Sequence, residues 1–491
     1  MSLHLGAGKP QRTATLLLQA FRRNRQRSLP GGGEASRQTL VSSHAHGLRS
    51  GAARPVREIS IPSLAIQRRE LNHHAARTDQ NAGHAWLGNE HGGLRKGDKV
   101  VVAMSGGVDS SVTLALLTDP AITSHLSLDI SAVFMRNWSP LQNEVDHHSF
   151  ETDCEWEKDW EDVRRVCKMR DVDAELIDLS NEYWLQVFEP SINAWQSGQT
   201  PNPDVSCNRE IKFGALMDRV LGPARMELES GMQRKFLATG HYARVGWMEG
   251  GRTKLMRSAD WTKDQTYYLS SVPEAQLSRA LFPLADLKKT QVRELAKKYD
   301  LPTASRQESM GVCFIGERGR FGDFVSQYTV PPAEKGNIVT IDGVIVGQHD
   351  GLWHYTIGQK AKLGGMDQKY FVARKDPRNN EVVVVPGSDH PALQCASIAA
   401  SSFTWIWPDH PPVESLDSEE GMSAMCQVRH RMKAVPVTVK RGAGSSTSDL
   451  RIEFKARPEI GVSPGQVVGL WSAEGDWCLG SGLIAETTCM M

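Results

Sequence analysis

The chain has 491 residues, 40% of them hydrophobic, and its 57 basic side chains balance 57 acidic ones. This length predicts two to four domains at the usual ~100–200 residues each, and the neutral balance carries no information about a nucleic-acid partner. The 8 cysteines form no CxxC pair, which argues against a disulfide scaffold or a zinc ribbon, and we expect no membrane association because no apolar run approaches the ~20 residues of a membrane span.

The first 93 residues are poor in acidic side chains and rich in arginine and serine. Before Glu58 the only acidic residue is Glu34, and a short apolar stretch that includes Leu16 and Phe21 precedes the sequence RRNRQR. This composition is typical of a mitochondrial transit peptide. We therefore expect residues 1–93 to be a transit peptide with a disordered extension, and the mature chain to lie in the mitochondrial matrix. The alternative is a disordered basic tail that binds RNA.

Residues 94–315 alternate apolar strands with helices. The first predicted strand, KVVVAM (Lys99–Met104), is continuously apolar, as in a strand buried on both faces. Further strands are predicted at Asp129–Met135, Ala174–Leu179 and Lys235–Gly240, and helices after the first strand, at Trp156–Met169 and at Lys288–Pro302. Strands that alternate with helices predict an α/β domain with a parallel sheet and helices on both faces.

After about Gly316 the sequence changes to short β-rich pieces separated by glycine and proline, among them GNIVTIDGVIVGQ, NNEVVVVPG, PVTVKR and GQVVGLW. This pattern predicts one or two small antiparallel β units, with a barrel as the expected architecture. We expect a small central β-rich domain over residues 316–395 and a C-terminal β-barrel over residues 396–491. A break is predicted between His390 and Ser401, and a hairpin loop at Gly442–Asp449.

The sequence AMSGGVDSS (Ala103–Ser111), named here the glycine loop, joins the first predicted strand to the first helix. Its glycines let the backbone approach a ligand closely, its serines supply hydroxyl groups, and the helix N-terminus favours a phosphate. The loop lacks the lysine of a Walker A motif. An ordinary glycine-rich turn of an α/β fold is the alternative interpretation.

The sequence PNPDVSCNREIKFG (Pro201–Gly214) places Cys207 three residues after Asp204. Two prolines favour an extended, stiffened loop, and the polar setting is not typical of a core cysteine. Reactivity is therefore one interpretation of Cys207, and a small buried hydrophobic side chain is the other. Asp204 has its own structural alternative, because aspartate often closes turns.

The sequence SGGVDS resembles the pyrophosphate loop of the PP-loop ATPases, which split ATP into AMP and pyrophosphate to adenylate a substrate. The motifs FMRNW, TPNPDVSCNREIKFG, ATGHYAR, KDQTYYLS, MGVCFIGER, HYTIGQKAKLG and SPGQVVGLW stand in the order found in tRNA-specific 2-thiouridylases. The resemblance extends from Lys99 to Ile484, and the N-terminal extension makes the chain similar to mitochondrial members of that family. Competing interpretations are another PP-loop adenylating enzyme and a non-catalytic tRNA-binding protein.

The resemblance implies that ATP adenylates the C2 oxygen of the wobble uridine (U34) in mitochondrial tRNAs for Lys, Glu and Gln. Sulfur then replaces that oxygen, and AMP and pyrophosphate are released. Met135 and Gly240 are implied to lie at the adenosine, and Asp109 to help hold Mg²⁺. The implied phosphate-binding residues are Ala103, Met104, Ser105, Gly106, Gly107, Val108, Asp109 and Ser110.

The resemblance also assigns the sulfur chemistry. Cys313 is implied to carry a persulfide, supplied by a cysteine desulfurase or a sulfur-relay protein, and Cys207 to release sulfide from it or to close a disulfide with Cys313 after transfer. Asp204 is implied to act in proton transfer, and Asn202 and Pro203 to contact the target base with it. The alternative is an iron–sulfur cluster held by Asp204, Cys207 and Cys313.

Contacts with tRNA are implied for Lys263, Asp264 and Gln265 in KDQTYYLS and for Arg431 in the sequence RHRMK. A tRNA needs cationic side chains for its phosphates and a pocket for the flipped base. The family usually has Arg–Tyr where this chain has Arg431 and Met432, so a stacking tyrosine is missing there.

Overall fold

The computed structural model describes residues 84–89, 91–138, 155–222, 233–307, 321–330, 332, 334–442 and 446–490. The predicted transit peptide up to residue 83 and the predicted persulfide carrier Cys313 lie outside the described residues. Residues 84–89 and 91–93, which belong to the extension expected to be disordered, have a described structure. Trp86 in this stretch is buried, and the Asn89 side-chain amide donates to the Trp247 carbonyl oxygen at 3.0 Å, so the segment is held by packing against the folded domain.

The first part of the chain contains short and long strands that belong to several sheets. They are β1 (Gly88–Asn89), β2 (Gly92–Gly93), β3 (Lys99–Met104), β4 (Asp129–Arg136), β5 (Ala174–Asp178), β6 (Lys235–Thr239), β7 (Arg244–Trp247), β8 (Thr253–Met256) and β9 (Ala280–Leu281).

The α-helices are α1 (Val108–Leu117), α2 (Pro120–Thr123), α3 (Glu155–Met169), α4 (Ser180–Tyr183), α5 (Glu189–Gln196), α6 (Pro203–Ser206), α7 (Met217–Leu221), α8 (Thr266–Leu269), α9 (Glu274–Leu277), α10 (Lys289–Lys298), α11 (Phe321–Ser326) and α12 (Val413–Asp417). Within the described part of the chain, π-helical segments occur at Trp184–Phe188 and Cys207–Leu216. Short 3₁₀ turns occur at Ala85–Leu87, Ser124–Leu126, Glu249–Gly251, Leu352–His354 and Pro391–Leu393.

A five-stranded parallel sheet forms the first domain, in the order β5-β4-β3-β6-β9. The central strand β3 is buried because Val100 and Val102 have no exposed surface. Helix α1 packs on β3 and β6, α3 packs on β4 and β5, and α10 packs on α1. The predicted parallel α/β sheet is therefore confirmed. Its apolar strands are covered by helices, as a sheet of this kind requires.

The central domain is a five-stranded sheet in the order β11-β10-β14-β13-β12. Its small core includes Ile338, Val372, Val382 and Val384. Its pairings are antiparallel except for β10 with β14, which is parallel. The strands are β10 (Gly336–Thr340), β11 (Ile345–His349), β12 (Lys360–Ala361), β13 (Tyr370–Asp376) and β14 (Glu381–Pro386).

The C-terminal domain is a closed barrel, as predicted. Closure arises because the long strand β15 pairs with β18 on one side and with the final strand β21 on the other. Its strands are β15 (Gln394–Trp405), β16 (Met422–Gln427), β17 (Val435–Arg441), β18 (Leu450–Phe454), β19 (Glu459–Ile460), β20 (Val467–Trp471) and β21 (Trp477–Cys489). Strand β15 begins inside the stretch where a break was expected, because its apolar alternation continues the barrel core from Cys395 onwards.

Two strands of the first domain extend the sheet of the C-terminal domain, which sequence analysis did not predict. Strand β8 pairs with β21 through Met256 and Trp477, and β7 pairs with β8. The resulting sheet has nine strands in the order β19-β15-β18-β17-β16-β20-β21-β8-β7. Continuous hydrogen bonding across the two domains fixes the barrel against the segment that follows β6.

An aromatic cluster attaches α11 to the end of β4. The Trp138 ring lies 4.8 Å from Phe188 and 6.1 Å from Phe324, measured between ring centroids, and Phe188 lies 5.1 Å from Tyr328. Aromatic pairs at these distances add to the apolar burial. Helix α11 is thus fixed to the carboxyl edge of the parallel sheet.

Cys395 and Cys489 are opposite each other where β15 and β21 close the barrel. Cys395 is buried, whereas Cys489 is half-buried. The Cys395 thiol donates a hydrogen bond to Cys489, and this bond is the main cause that lowers the pKa of Cys489 to about 7. The Cys395 sulfur also lies 3.2 Å from the Ser397 carbonyl oxygen. Burial instead raises the pKa of Cys478 to about 12.

We predict that iodoacetamide at pH 7 labels Cys489 faster than Cys478, because only the thiolate reacts. Replacing Cys395 with alanine removes the hydrogen bond, and the labelling rate of Cys489 should fall about tenfold as its pKa returns toward that of a free thiol, ~8.5. Peptide mass spectrometry of folded protein gives both rates in one sample, with Cys478 as the internal control. An unchanged Cys489 rate in the variant would contradict the proposed hydrogen bond.

Candidate active site

The glycine loop runs from β3 into the N-terminus of α1. Gly107 is the N-cap of the helix and supplies no side-chain cap. The Ser111 hydroxyl donates to the Gly107 carbonyl oxygen at 2.8 Å, and the Ser105 amide donates to the Ser110 hydroxyl oxygen at 3.1 Å. These bonds shape the loop from within, and the helix N-terminus presents backbone N–H groups and the positive end of its dipole there, a geometry suited to phosphate.

Gly106 is needed in this loop for two reasons. Its φ of 74° lies in the left-handed region, and a Cβ atom there would approach the Asp159 carbonyl oxygen to 2.7 Å. The Gly106 carbonyl oxygen also accepts a hydrogen bond from Arg306 at 2.9 Å. The same guanidinium pairs with Asp159 and Asp162 on α3. Arg306, which sequence analysis did not find, therefore attaches the loop to α3.

The predicted adenosine residues lie at the carboxyl edge of the sheet, where open α/β folds bind ligands. Gly240 follows β6 and touches the first turn of α1, since a Cβ there would lie 2.8 Å from the Ser110 amide nitrogen. Met135 is half-buried near the end of β4. The structure thus brings Gly240 directly against the glycine loop, and Met135 lies on the strand adjacent to β3. Their roles stay predictions.

The Asp109 carboxylate is held by two groups from distant parts of the chain. The Lys289 ammonium donates to its two oxygens at 2.7 and 2.8 Å, and the Tyr242 hydroxyl donates at 3.0 Å. Lys289 begins α10 and was not found from sequence, because nothing local distinguishes it from the neighbouring lysine. A Mg²⁺ ion at Asp109, whose side chain is 33% exposed, would share this carboxylate with Lys289.

The prediction that Cys207 lies in an extended loop is wrong. Asn202 is an N-cap whose side-chain oxygen accepts from the Val205 amide, and Pro203 occupies the first turn of α6, where proline is tolerated. Cys207 follows as the first residue of the π-helical segment Cys207–Leu216 and is only 7% exposed. A π-helical segment often marks a functional site, and this one aims the thiol inward rather than into solvent.

The charge of Lys212 acts on both Asp204 and His241. Burial raises the pKa of the Asp204 carboxyl, and the Lys212 charge opposes that shift. Burial of His241 lowers the pKa of its imidazole well below the usual value, and the charge of the same lysine adds to this effect. His241 directly follows Gly240, and its Nδ1 lies 2.7 Å from the Thr239 hydroxyl. The Phe213 ring of the π-helical segment lies 5.9 Å from the His241 ring, measured between centroids, so the segment that begins with Cys207 reaches the same edge as the glycine loop.

The three domains meet at the segment Gln199–Asn202, immediately before α6. The Thr200 amide donates to the Pro464 carbonyl oxygen of the barrel at 2.9 Å. The Lys375 ammonium, from the central domain, donates to the Thr200 hydroxyl at 3.2 Å and to the Tyr355 carbonyl oxygen at 3.1 Å, and burial lowers the pKa of Lys375 to about 8. The start of α6 is thus fixed by both β domains.

The predicted tRNA-contact residues of KDQTYYLS have different surroundings. The buried Asp264 carboxylate accepts from Arg257 at 2.9 Å and from the Ser258 amide at 2.8 Å, so this side chain organises its own loop. The Gln265 side-chain oxygen accepts from the Tyr242 amide at 2.9 Å. Gln265 therefore contacts the same tyrosine whose hydroxyl donates to Asp109. Lys263 is half-buried and its charge acts on His430.

A cationic pocket on the barrel lies beside this loop. The pocket has a volume of about 330 Å³ and is lined by Arg429, Arg431, Lys433 and Arg457, among others. The His430 ring, also in the lining, stacks on Tyr268 with 4.4 Å between ring centroids. His430 was not found from sequence. The predicted Arg431 is exposed and in the left-handed region, with φ of 64°.

Among the residues that the structure describes, no group of three or more His, Cys, Asp or Glu side chains is arranged to hold a metal ion. Cys313, the third predicted cluster ligand, is not among those residues. Over the same described ranges, no helix has the length and apolar character that crossing a membrane requires.

The parallel sheet, the glycine loop and the helix N-terminus together define an α/β nucleotide-binding protein of the PP-loop type. Residues 98–317 match the family described as tRNA methyl transferase HUP domain, residues 322–386 its PRC-barrel domain, and residues 396–484 the aminomethyltransferase beta-barrel domain.

Relatives with an assigned activity are similar over nearly their whole length. The tRNA-specific 2-thiouridylase MnmA of Ralstonia nicotianae is 39% identical over 80% of this chain and 97% of its own. That of Bacillus subtilis is 38% identical over 79% and 95%. The chain therefore belongs to the tRNA-specific 2-thiouridylases, which are tRNA-uridine 2-sulfurtransferases.

Solved structures are similar at a much lower level of sequence identity. The U34-tRNA thiolase NcsA from Methanococcus maripaludis, solved with its 4Fe-4S cluster, shares 16% identity over 54% of this chain and 70% of its own, with a TM-score of 0.27. An overlap of this quality says nothing about cofactor or mechanism.

We predict that Lys289→Met weakens nucleotide binding, because it removes the cation that touches the glycine loop at Asp109. Losing a charge-assisted contact of this kind should raise the Kd for ATP by about tenfold to a hundredfold. Isothermal titration calorimetry on the full chain measures it. Lys297→Met is the matched control, since Lys297 is exposed on the same helix. Equal Kd values for the two variants would contradict a role for Lys289 at the nucleotide.

We predict that Asp204→Asn stabilises the fold at pH 7.5 but not at pH 4. Because burial raises the pKa of Asp204 in the folded state, unfolded chains release its proton first, and stability falls as pH rises from the ordinary pKa toward the raised one. Asparagine avoids this loss. Thermal melting at both pH values checks it, with the exposed Asp218→Asn as control. An advantage of Asp204→Asn that is equal at both pH values would contradict the prediction.

Proposed function

We propose that this chain 2-thiolates the wobble uridine of mitochondrial tRNAs, those for Lys, Glu and Gln, by adenylating the uracil C2 oxygen and transferring sulfur from a cysteine persulfide. One observation carries the proposal: the π-helical segment that begins with Cys207 contacts His241 through Phe213, at 5.9 Å between ring centroids, and the preceding Gly240 touches the glycine loop. A nucleotide phosphate on the loop and a base beside Asp204 are then within one site.

Adenylation converts the uracil C2 oxygen from a poor leaving group into a good one. The backbone amides at the start of α1 bind the ATP phosphates, and Lys289 beside Asp109 adds a cation at the same point. Asp109 would hold Mg²⁺, which supplies further neutralisation of phosphate charge when bound. Residues Gly240 and Met135 face the adenosine. The uracil C2 oxygen attacks the α-phosphorus, and pyrophosphate leaves.

Sulfur transfer then uses two thiols. The outer sulfur of the Cys313 persulfide attacks C2, and AMP leaves with the oxygen, so the base is joined to Cys313 through a disulfide. The Cys207 thiolate attacks the Cys313 sulfur, which releases 2-thiouridine and forms a Cys207–Cys313 disulfide. A thiol reductant restores both cysteines, and a cysteine desulfurase or relay protein supplies the next sulfur.

Asp204 is suited to the proton movements of this sequence. Its pKa is raised by burial, and a group that exchanges a proton near neutral pH needs such a shift. Its helix begins at Asn202 and Pro203, so the three residues proposed to meet the base form one helical start. A proton leaves uracil N3 when the C2 oxygen is adenylated, with the Asp204 carboxylate as the acceptor, and it returns to the base when Cys207 releases 2-thiouridine.

The tRNA is held by cations at the junction of the first domain and the barrel. Lys263 and Arg431 both act electrostatically on His430, so the two predicted contact segments converge on one surface. Phosphate contacts there would be sequence-independent and salt-sensitive. The arginine-rich N-terminal composition supports import into mitochondria, where this substrate would be met.

The test uses cells that lack the chain and are complemented with variants. Mass spectrometry of mitochondrial tRNA should show 2-thiouridine restored by the natural chain and lost, by at least about a hundredfold, in Cys207→Ser and Cys313→Ser, since neither hydroxyl replaces a sulfur nucleophile. Cys489→Ser is the matched control. In vitro, both inactive variants should still release pyrophosphate from ATP when tRNA is present, because adenylation precedes the sulfur step.

Several results would overturn the proposal. Normal 2-thiouridine in mitochondrial tRNA of cells without the chain refutes the substrate and the location. Full activity in both cysteine variants refutes the persulfide route. Purified protein that contains iron in proportion to activity, and loses both with Cys207→Ser, would replace the persulfide with an iron–sulfur cluster.

A further inference from the structure

Trp261 projects into solvent from a surface turn. Its side chain is 74% exposed, and no large hydrophobic residue among those described is more exposed. Tryptophan is usually well buried, so a fully displayed indole needs an explanation. The residue lies two positions before Lys263 and does not belong to any pattern that sequence analysis used.

The turn that carries Trp261 is rigid. The buried Asp260 accepts from the Thr262 hydroxyl at 2.6 Å and from the Thr262 amide at 3.1 Å, and the Lys263 amide donates to the Asp260 carbonyl oxygen at 3.0 Å. The Ser258 hydroxyl adds a bond to the same carbonyl at 3.1 Å. A side chain on a turn fixed from both sides is displayed in one direction at little entropic cost on binding.

The same turn is attached to the nucleotide end of the site. The second Asp260 oxygen accepts from the Lys289 backbone amide at 2.9 Å, and the Lys289 side chain holds Asp109 of the glycine loop. On its other side, the turn continues into Lys263, whose charge reaches His430 in the cationic pocket. Trp261 therefore belongs to a turn that links the glycine loop to the cationic pocket.

We propose that Trp261 is an additional substrate contact, on which an unpaired nucleobase of the tRNA stacks beside the reacting uridine. Aromatic side chains that stand among cations are the usual platform for single-stranded RNA, because every base offers a π-face while the phosphates meet the charges. A protein partner would need a larger apolar patch than one ring surrounded by polar residues.

The experiment measures binding of a fluorescently labelled tRNA, with ATP present, to the full chain. Trp261→Ala should raise the Kd between about fivefold and a hundredfold, the range for one stacked base, and Trp261→Phe should recover most of it. The salt dependence of the Kd should be unchanged in Trp261→Ala, since no charge is lost, whereas Lys263→Ala should reduce its slope by about one. Leu185→Ala, an exposed apolar residue elsewhere, is the control.

The inference rests on the proposed function but fails separately. If the natural chain binds and thiolates tRNA and Trp261→Ala matches it, the stacking proposal is overturned and the function stands. If Trp261→Ala binds tRNA normally but accepts sulfur poorly from a persulfide donor protein, the turn is a protein contact and the proposal is overturned. If Trp261→Phe binds tRNA as weakly as Trp261→Ala, the loss of affinity comes from a general packing effect, and the stacking proposal is overturned. Loss of all tRNA thiolation by the natural chain would refute the function itself.

Discussion

The attachment of Gln199–Asn202 to both β domains is the constraint on which the geometry of the site depends. A buried ammonium group is costly unless its hydrogen bonds are made, and Lys375 makes three, one of them weak at 3.4 Å to the Gln199 carbonyl oxygen. The barrel side is equally close, since a Cβ on Gly465 would lie 2.8 Å from the Thr200 amide nitrogen. Because α6 begins at Pro203, directly after this segment, the direction of Asp204 and Cys207 is set by all three domains together.

The second organising element is a set of charges that connects loops distant in sequence. Arg306 ties Gly106 to α3, and Lys289 ties Asp109 to α10. Arg257 does the same across the domain boundary, since it bonds Asp264 and reaches Gln427 of the barrel at 3.0 Å while lying over the Trp471 ring. Partly buried ion pairs of this kind select one arrangement of the chain segments more than they add stability. Here they fix the relative positions of the segments that surround one site.

The parts of the fold that could be predicted from sequence are those with a local signature. Continuous apolar runs predicted the parallel strands, and the sequence SGGVDS after the first strand predicted the glycine loop. The N-terminal turn of α6 had a local signature too, because Asn202 as N-cap and Pro203 at the first helical position form a helix start, but the two prolines favoured an extended reading. Lys289, Arg306 and the addition of β7 and β8 to the barrel sheet depend on contacts between segments far apart in sequence, which no local pattern reports.

The charge state of the site follows from where these groups are buried. At neutral pH His241 is uncharged, because burial and the neighbouring Lys212 hold its pKa well below the usual value. The Lys212 charge favours the ionised form of Asp204, in opposition to burial. The same charge acts on His241, which directly follows Gly240. Protonation of Asp204 removes a negative charge from the surroundings of this lysine, so the acid–base state of Asp204 and the electrostatics at the edge of the glycine loop are coupled through one residue.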